Sequence, residues 1–181
     1  MKRILFIVAF IGFNSFCQSK YITKTGAVSF EASVPSFEEV SANTNAVTSI
    51  LNIENGEFAT LILVKGFRFK NALMEEHFNE NYAESDKYPK ATFKGIIKDF
   101  SSDIISSQKE FQLNGELYFH GKTKKLENIK VTLIENPDGI KMSGNFTVKS
   151  SDFDIKIPQI VKNKISEEIK IFFQFKLQSK I

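Results

Sequence analysis

The sequence predicts an all-β protein, an eight-stranded antiparallel barrel with one helix inserted between strands three and four. Apolar and polar residues alternate along several segments, most clearly from Phe111 to Gly121. Turn-forming sequences separate these segments, and charged residues occupy the parity opposite the apolar one. Successive side chains of a strand point to opposite faces, so each segment has one dry face and one wet face.

The first 17 residues are typical of a secretory signal peptide. Two basic residues precede the apolar run Ile4–Phe13, which is too short to span a membrane. Ser15 and Cys17 supply small residues at positions −3 and −1 of a cleavage site. The sequence therefore predicts a signal peptide over residues 1–17 and a single domain over residues 18–181.

Two alternatives for this N-terminal segment remain open. Cys17 can instead be read as the lipidated first residue of a lipoprotein, although the bulky Phe16 stands where such motifs usually have a small residue. The segment can also be read as an uncleaved anchor. Cleavage after Cys17 is the reading we favour, and it predicts a periplasmic or secreted protein.

Composition narrows the class of function. Removal of Cys17 leaves no cysteine, and so no disulfide or thiol chemistry. The 24 basic and 21 acidic residues nearly cancel, so net charge gives no reason to expect a nucleic-acid partner. The chain has 19 phenylalanines and no tryptophan, so many flat apolar rings must be placed inside one domain.

The strands follow from the alternation in chain order. We predict them at about residues 21–34, 45–53, 57–69, 91–99, 111–121, 127–135, 140–151 and 168–178. Asn55-Gly56 and the run Asn136–Gly139 favour tight turns, because Gly and Asn accept positive φ at little cost. Strand three is apolar on both faces through Ala59–Val64, which predicts that another element covers its outer face.

Helical spacing of apolar residues predicts a helix over Ala72–Asn81, with Asn71 as its cap. Leu73, Met74 and Phe78 form its apolar face. A helix inserted here can cover one end of the barrel, so we predict Met74 and Phe78 as a gate for a ligand. A helix packed permanently against the outer wall is the alternative.

Eight two-faced strands favour a closed barrel over a sandwich, since closure removes exposed edges. The parity opposite the apolar one carries Lys94, Lys98, Glu116, Lys130, Lys141, Lys170 and Lys176. In a membrane barrel these charges would face lipid, at a cost of about 2–4 kcal/mol each near the midplane. The sequence therefore predicts that the protein is not integral to a membrane and that its apolar face points inward.

The inward side chains are the candidates for contact with a ligand. They are Phe93, Phe111, Leu117, Phe119, Phe146, Phe173 and Phe175. An eight-stranded barrel can be filled by its own side chains or can hold one small ligand, and the residues alone leave both open. Gly95, Gly115 and Gly144 share the inward parity, which allows either a bend or extra room.

The polar residues predict neither an enzyme nor a metal site. His77 and His120 are the only histidines, and with Glu76 or Asp152 they do not form a known metal-binding spacing. Asp152 and Asp154 share a strand face in this prediction. Paired carboxylates can carry out acid–base catalysis, but a solvated strand end is the better explanation of the pair. We predict no catalytic residues, no metal and no cofactor.

Three segments together resemble the YceI-like family. They are the run from Phe67 to Gly95, the stretch Gly115-Glu116-Leu117-Tyr118-Phe119-His120-Gly121-Lys122-Thr123-Lys124, and the region from Phe146 to Pro158. The resemblance implies a lipocalin-like barrel, secreted or periplasmic, that binds a long isoprenoid or other lipid-like chain and has no catalytic residues. The first strand lacks a histidine that many members carry early in the domain, so no head-group role for such a histidine is carried over to this chain.

Two functions therefore stand side by side. The first is a soluble exported binding protein whose partner is a hydrophobic small molecule held inside the barrel. Burial of each CH₂ is worth about 0.8 kcal/mol, so a chain of about a dozen carbons can bind without a strong polar anchor. The alternative is a filled-core barrel that acts as an interaction module for envelope proteins. A homodimer is left open.

Overall fold

Nine strands form one antiparallel sheet in the computed structural model, which describes residues 20–107 and 109–179. They are β1 (Lys20–Ser33), β2 (Ser41–Asn52), β3 (Glu57–Leu63), β4 (Arg68–Phe69), β5 (Lys90–Ile97), β6 (Glu110–Phe119), β7 (Lys122–Asn136), β8 (Gly139–Lys149) and β9 (Ile165–Ser179). The predicted signal peptide and its cleavage site lie outside the described residues.

The sheet closes on itself. Its order is β1-β9-β8-β7-β6-β5-β3-β2, and β2 pairs back onto β1. The two-residue β4 adds to β2 at one rim, where Phe69 pairs with Ala42. The predicted eight-stranded antiparallel barrel is therefore confirmed.

The third predicted strand, residues 57–69, is interrupted by a turn in the structure. β3 ends at Leu63 and gives way to a 3₁₀ turn over Val64–Gly66. Val64 is completely buried and packs with Ala83 and Ala91. The turn interrupts the strand, and β4 then resumes antiparallel pairing with β2, the strand that also pairs with β3.

The outer face of β3 is not covered by another element, contrary to the sequence prediction. Leu61 and Leu63 are 37% and 55% exposed. Phe58, Thr60 and Ile62 take the inward parity of this strand and line the interior. The helical segment lies instead at the end of the barrel, where Phe78 packs against Phe30 and Phe69.

The predicted helix is confirmed, in two parts. Helix α1 spans Ala72–His77, and a π-helical turn continues it over Phe78–Tyr82. The side chain of Asn71 accepts a hydrogen bond of 2.9 Å from the backbone N–H of Leu73. This bond satisfies one of the donors that a helix N-terminus leaves free, as expected of the cap.

The interior is filled at the end of the barrel away from α1. Here Leu51, Leu133, Met142 and Leu177 are at most 1% exposed. We call this region the filled end, and the rim beneath α1 the open end. In the described ranges, no helix is long and apolar enough to cross a bilayer.

Candidate functional site

An apolar cavity of about 140 Å³ occupies the half of the barrel nearer the open end. Seven of the eight barrel strands contribute to its wall, and the threonines Thr60 and Thr92 are the only polar residues that line it. The remaining side chains can offer a ligand only apolar surface. We call this space the inner chamber.

Six of the seven side chains predicted to face a ligand line the inner chamber. They are Phe93, Leu117, Phe119, Phe146, Phe173 and Phe175. Phe111 differs: it is buried, but it lies in the filled end with its ring 5.9 Å from that of Phe100. The parity of a strand residue fixes its face, whereas its position along the strand fixes its depth in the barrel.

A second chamber of about 270 Å³ adjoins the first at the open end. The helical segment, the β1–β2 connection and the β8–β9 connection enclose it. Most of its wall is apolar, and its polar side chains include Glu38, His77, Tyr82 and Lys164. Partial burial raises the pKa of the Tyr82 hydroxyl, so this group stays a neutral hydrogen-bond donor at neutral pH. We call this space the outer chamber.

Phe78 lies on the boundary between the two chambers and lines both. Its ring centroid is 5.4 Å from Phe30, 6.0 Å from Phe67 and 5.2 Å from Phe69. Met74 lines the outer chamber alone. These contacts connect the helical segment to both chambers and leave its role as a gate a prediction.

Leu73 does not belong to this apolar face. Its side chain is 55% exposed, whereas Met74 and Phe78 face the chambers. The helix is only six residues long before it widens into the π-helical turn. A helical wheel drawn over the whole predicted segment therefore overestimates the width of the buried face.

Aromatic rings fill the space beside the inward-facing glycines. A Cβ on Gly144 would lie 2.6 Å from Cζ of Phe173, and one on Gly115 would lie 2.5 Å from Cζ of Phe93. Gly144 and Phe173 are direct cross-strand partners. An aromatic ring that covers a glycine on the neighbouring strand is a known way to stabilise that strand. The sequence allowed either a bend or extra room at these glycines, and in the structure phenylalanine rings fill that room.

His120 ties together three parts of the open end, a role that the sequence did not reveal. Its Nδ1 lies 2.9 Å from the carbonyl oxygen of Phe153, and its Nε2 lies 2.7 Å from Oε2 of Glu84. The ring of Tyr88 packs against it at 4.7 Å. His120 directly follows β6, in the turn before β7. His77 is exposed and contacts the outer chamber.

Asp152 and Asp154 do not share a strand face, contrary to the sequence prediction. Asp152 lies in the 3₁₀ turn Ser150–Phe153, and Asp154 follows it with φ of +57°. Phe153, between the two aspartates, is buried. Each carboxylate pairs with a lysine of β7: Lys124 lies 2.7 Å from Asp152 and Lys122 lies 2.6 Å from Asp154.

These ion pairs change the chemistry of both carboxylates. Hydrogen bonds from Lys124 and from the backbone of Lys149 hold the pKa of Asp152 below its usual value. The Lys122 ammonium does the same to the pKa of Asp154. Carboxylates that stay ionised at neutral pH suit ion pairing better than proton donation. No group of three or more potential metal ligands occurs within the described ranges.

A closed antiparallel barrel with an apolar inner cavity and a short helix at one end is a fold that can hold one small hydrophobic ligand. The chain belongs to the YceI-like family, whose domain model matches residues 20–177. No curated protein sequence matches the chain.

Solved structures share this fold at low sequence identity. A polyisoprenoid-binding domain from Saccharophagus degradans, implicated in plant cell wall breakdown, superposes with a TM-score of 0.74 and 12% identity, over 90% of this chain and 99% of that one. BcnA of Burkholderia cenocepacia gives 0.71 and 16%, over 86% and 96%. The YceI protein of Campylobacter jejuni gives 0.56 and 15%, over 99% and 94%.

Proposed function

We propose that the protein is an exported carrier that holds an isoprenoid or other lipid-like chain inside its barrel. The inner chamber carries this proposal, since a wall of phenylalanine and aliphatic side chains offers nothing that a polar ligand needs. Membership of the YceI-like family supports it, as does the name of the Saccharophagus degradans domain, which binds polyisoprenoid. Cleavage after Cys17 places the carrier in the periplasm or outside the cell.

We propose a separate chamber for each end of such a ligand. Its chain fills the inner chamber, and its polar end stays in the outer chamber near Glu38, His77, Tyr82 and Lys164. The rim carries both an acidic and a basic side chain, so it favours a neutral or zwitterionic end over a strongly charged one.

The alternative function, a filled barrel that serves only as an interaction module, is less favoured. It requires interior side chains to occupy both halves of the barrel. The filled end meets that requirement, but the inner chamber lies directly above it with a volume of about 140 Å³. An apolar space of about that size is known to take up benzene.

Uptake of a fluorescent polyene alcohol, which has a neutral polar end, by delipidated protein tests the proposal. Leu117→Trp enlarges a side chain that points into the inner chamber, and we expect it to weaken binding at least about tenfold by filling that space. Glu116→Trp adds the same ring on the exposed face of the same strand and serves as the control. Equal binding by both variants and the wild type would show that the dye does not enter the barrel.

A further inference from the structure

The inner chamber ends on a row of phenylalanine rings, and we propose that this row limits the length of the chain that the barrel can hold. We call it the floor: Phe93, Phe58, Phe175 and Phe173. The inference rests on the proposed function, because it concerns the ligand of the same cavity. It makes these four rings the residues that determine specificity for chain length.

The floor crosses the barrel from wall to wall. Phe58 on β3 and Phe175 on β9 have ring centroids 5.7 Å apart, although β2 and β1 separate their strands in the wall. Phe93 continues the row on one side, 6.2 Å from Phe58. Phe173 continues it on the other, stacked on Phe175 at 5.4 Å. Rings that meet across the interior narrow it for a chain coming from the open end, and Leu113 and Ile129 line the chamber on the β6–β7 side.

Glycines fix three of the four rings in place. Phe93 lies against Gly115 and Phe173 against Gly144, as described above. Phe175 lies against Gly26, where a Cβ would come within 2.5 Å of its ring. Each ring occupies the space that a side chain on the opposing strand would otherwise fill. The floor therefore belongs to the close-packed interior, which resists displacement.

The volumes of the inner and outer chambers set the length of the ligand chain that the protein can cover. The inner chamber is close in volume to an engineered cavity of about 150 Å³ that holds benzene, so it takes roughly six carbons. On the same scale the outer chamber takes roughly eleven more. A single-chain amphiphile should thus be covered up to about 15 to 18 carbons, or about three isoprene units, and a longer chain must leave part of itself in water.

A series of linear alcohols with 10 to 30 carbons, supplied in phosphatidylcholine vesicles, measures this limit. Delipidated protein is incubated with each alcohol, separated from the vesicles, extracted and assayed for alcohol. Because the vesicle also buries every carbon, transfer should be nearly constant up to the limit. Beyond about 18 carbons it should fall about fourfold for each uncovered carbon.

Variants of the floor should move the limit in opposite directions. Phe173→Ala removes a ring of about the size of benzene, so the limit should lengthen by roughly six carbons. Gly26→Ala drives the Phe175 ring towards the chamber, so the limit should shorten. Phe100→Ala removes an equal ring outside the chamber, beside Phe111, and should leave the limit unchanged.

The outcomes separate this inference from the proposed function. Uptake that is as good at 30 carbons as at 14 overturns the limit but keeps the carrier. No uptake at any length overturns both. If Phe173→Ala does not fold, as judged by far-ultraviolet circular dichroism, Gly26→Ala decides: an unchanged limit in this variant overturns the role of the floor.

Discussion

His120 and Glu84 are joined at the open end of the barrel, with 2.7 Å between the imidazole Nε2 and the carboxylate Oε2. Glu84 follows the helical segment, whereas His120 lies in the turn between β6 and β7. The other ring nitrogen contacts the carbonyl of Phe153. The two contacts therefore use both ring nitrogens of His120 and join it to two separate parts of the chain.

The first prediction concerns the stability that His120 gives to this end. His120→Ala removes both hydrogen bonds and should lower the free energy of unfolding by about 1–3 kcal/mol. Urea denaturation measures the change. Lys65→Ala is the control, since it removes an exposed ion pair with Asp86, and such surface pairs contribute little. A loss no larger than in the control would show that His120 does not tie the helical segment to the barrel.

The fold was predictable where local alternation decides it. Each barrel strand carries enough residues of period two to fix its inward face, and Val131 and Leu133 or Phe173 and Phe175 are buried accordingly. Alternation carries no information on depth along the barrel axis. For that reason the sequence predicts both Phe111 and Phe93 as ligand contacts, although only Phe93 lines the inner chamber.

The parts that could not be predicted depend on contacts between distant residues. The contacts of His120 span 33 and 36 residues along the chain, and no local pattern marks them. The end of β3 depends on the burial of Val64 against Ala83 and Ala91. The positions of the rings over the inward glycines likewise follow from the pairing of strands, so sequence alone allowed either a bend or a void.

The second prediction concerns the helical segment as a gate. Replacing Met74 and Phe78 by Ser should speed release of a fluorescent lipid about tenfold, with a smaller change in equilibrium affinity, because a lid acts chiefly on rates. Stopped-flow transfer to acceptor vesicles measures release. Leu73→Ser alters an exposed residue of the same helix and should change nothing. Unchanged release from the folded double variant would make the helix a structural brace.

The third prediction concerns acid stability. The pKa of Asp152 is lower in the folded state than in the unfolded chain, chiefly because of Lys124. Its contribution to stability is therefore fully present above about pH 4, the unfolded range, and is lost as the pH falls through the folded pKa. Asp152→Asn should thus destabilise the protein at pH 7 and much less near pH 2.

Urea unfolding of Asp152→Asn and wild type at both pH values checks this prediction. Asp138→Asn in the exposed β7–β8 turn is the control. A destabilisation by Asp152→Asn that is equally large at both pH values would contradict the assignment, since it would then arise from lost packing rather than from lost charge.

The fourth prediction concerns export. The full-length chain expressed in a Gram-negative host should yield a mature protein that starts at Gln18, because the basic start, the short apolar run, Ser15 and Cys17 fit a signal peptide. Intact mass spectrometry of the purified protein identifies the new N-terminus. A diacylglyceryl group on Cys17, or a retained Met1, would contradict cleavage after Cys17.

The central claim is that the barrel holds a hydrophobic chain, and native mass spectrometry tests it most directly. The protein purified from the cell without detergent should carry an extra mass that organic solvent removes, and the extract should contain a lipid-like molecule in near-stoichiometric amount. The Leu117→Trp variant, purified in parallel, should lack it. A wild-type protein that is free of lipid when purified, and that takes up none when offered vesicles, would contradict the account.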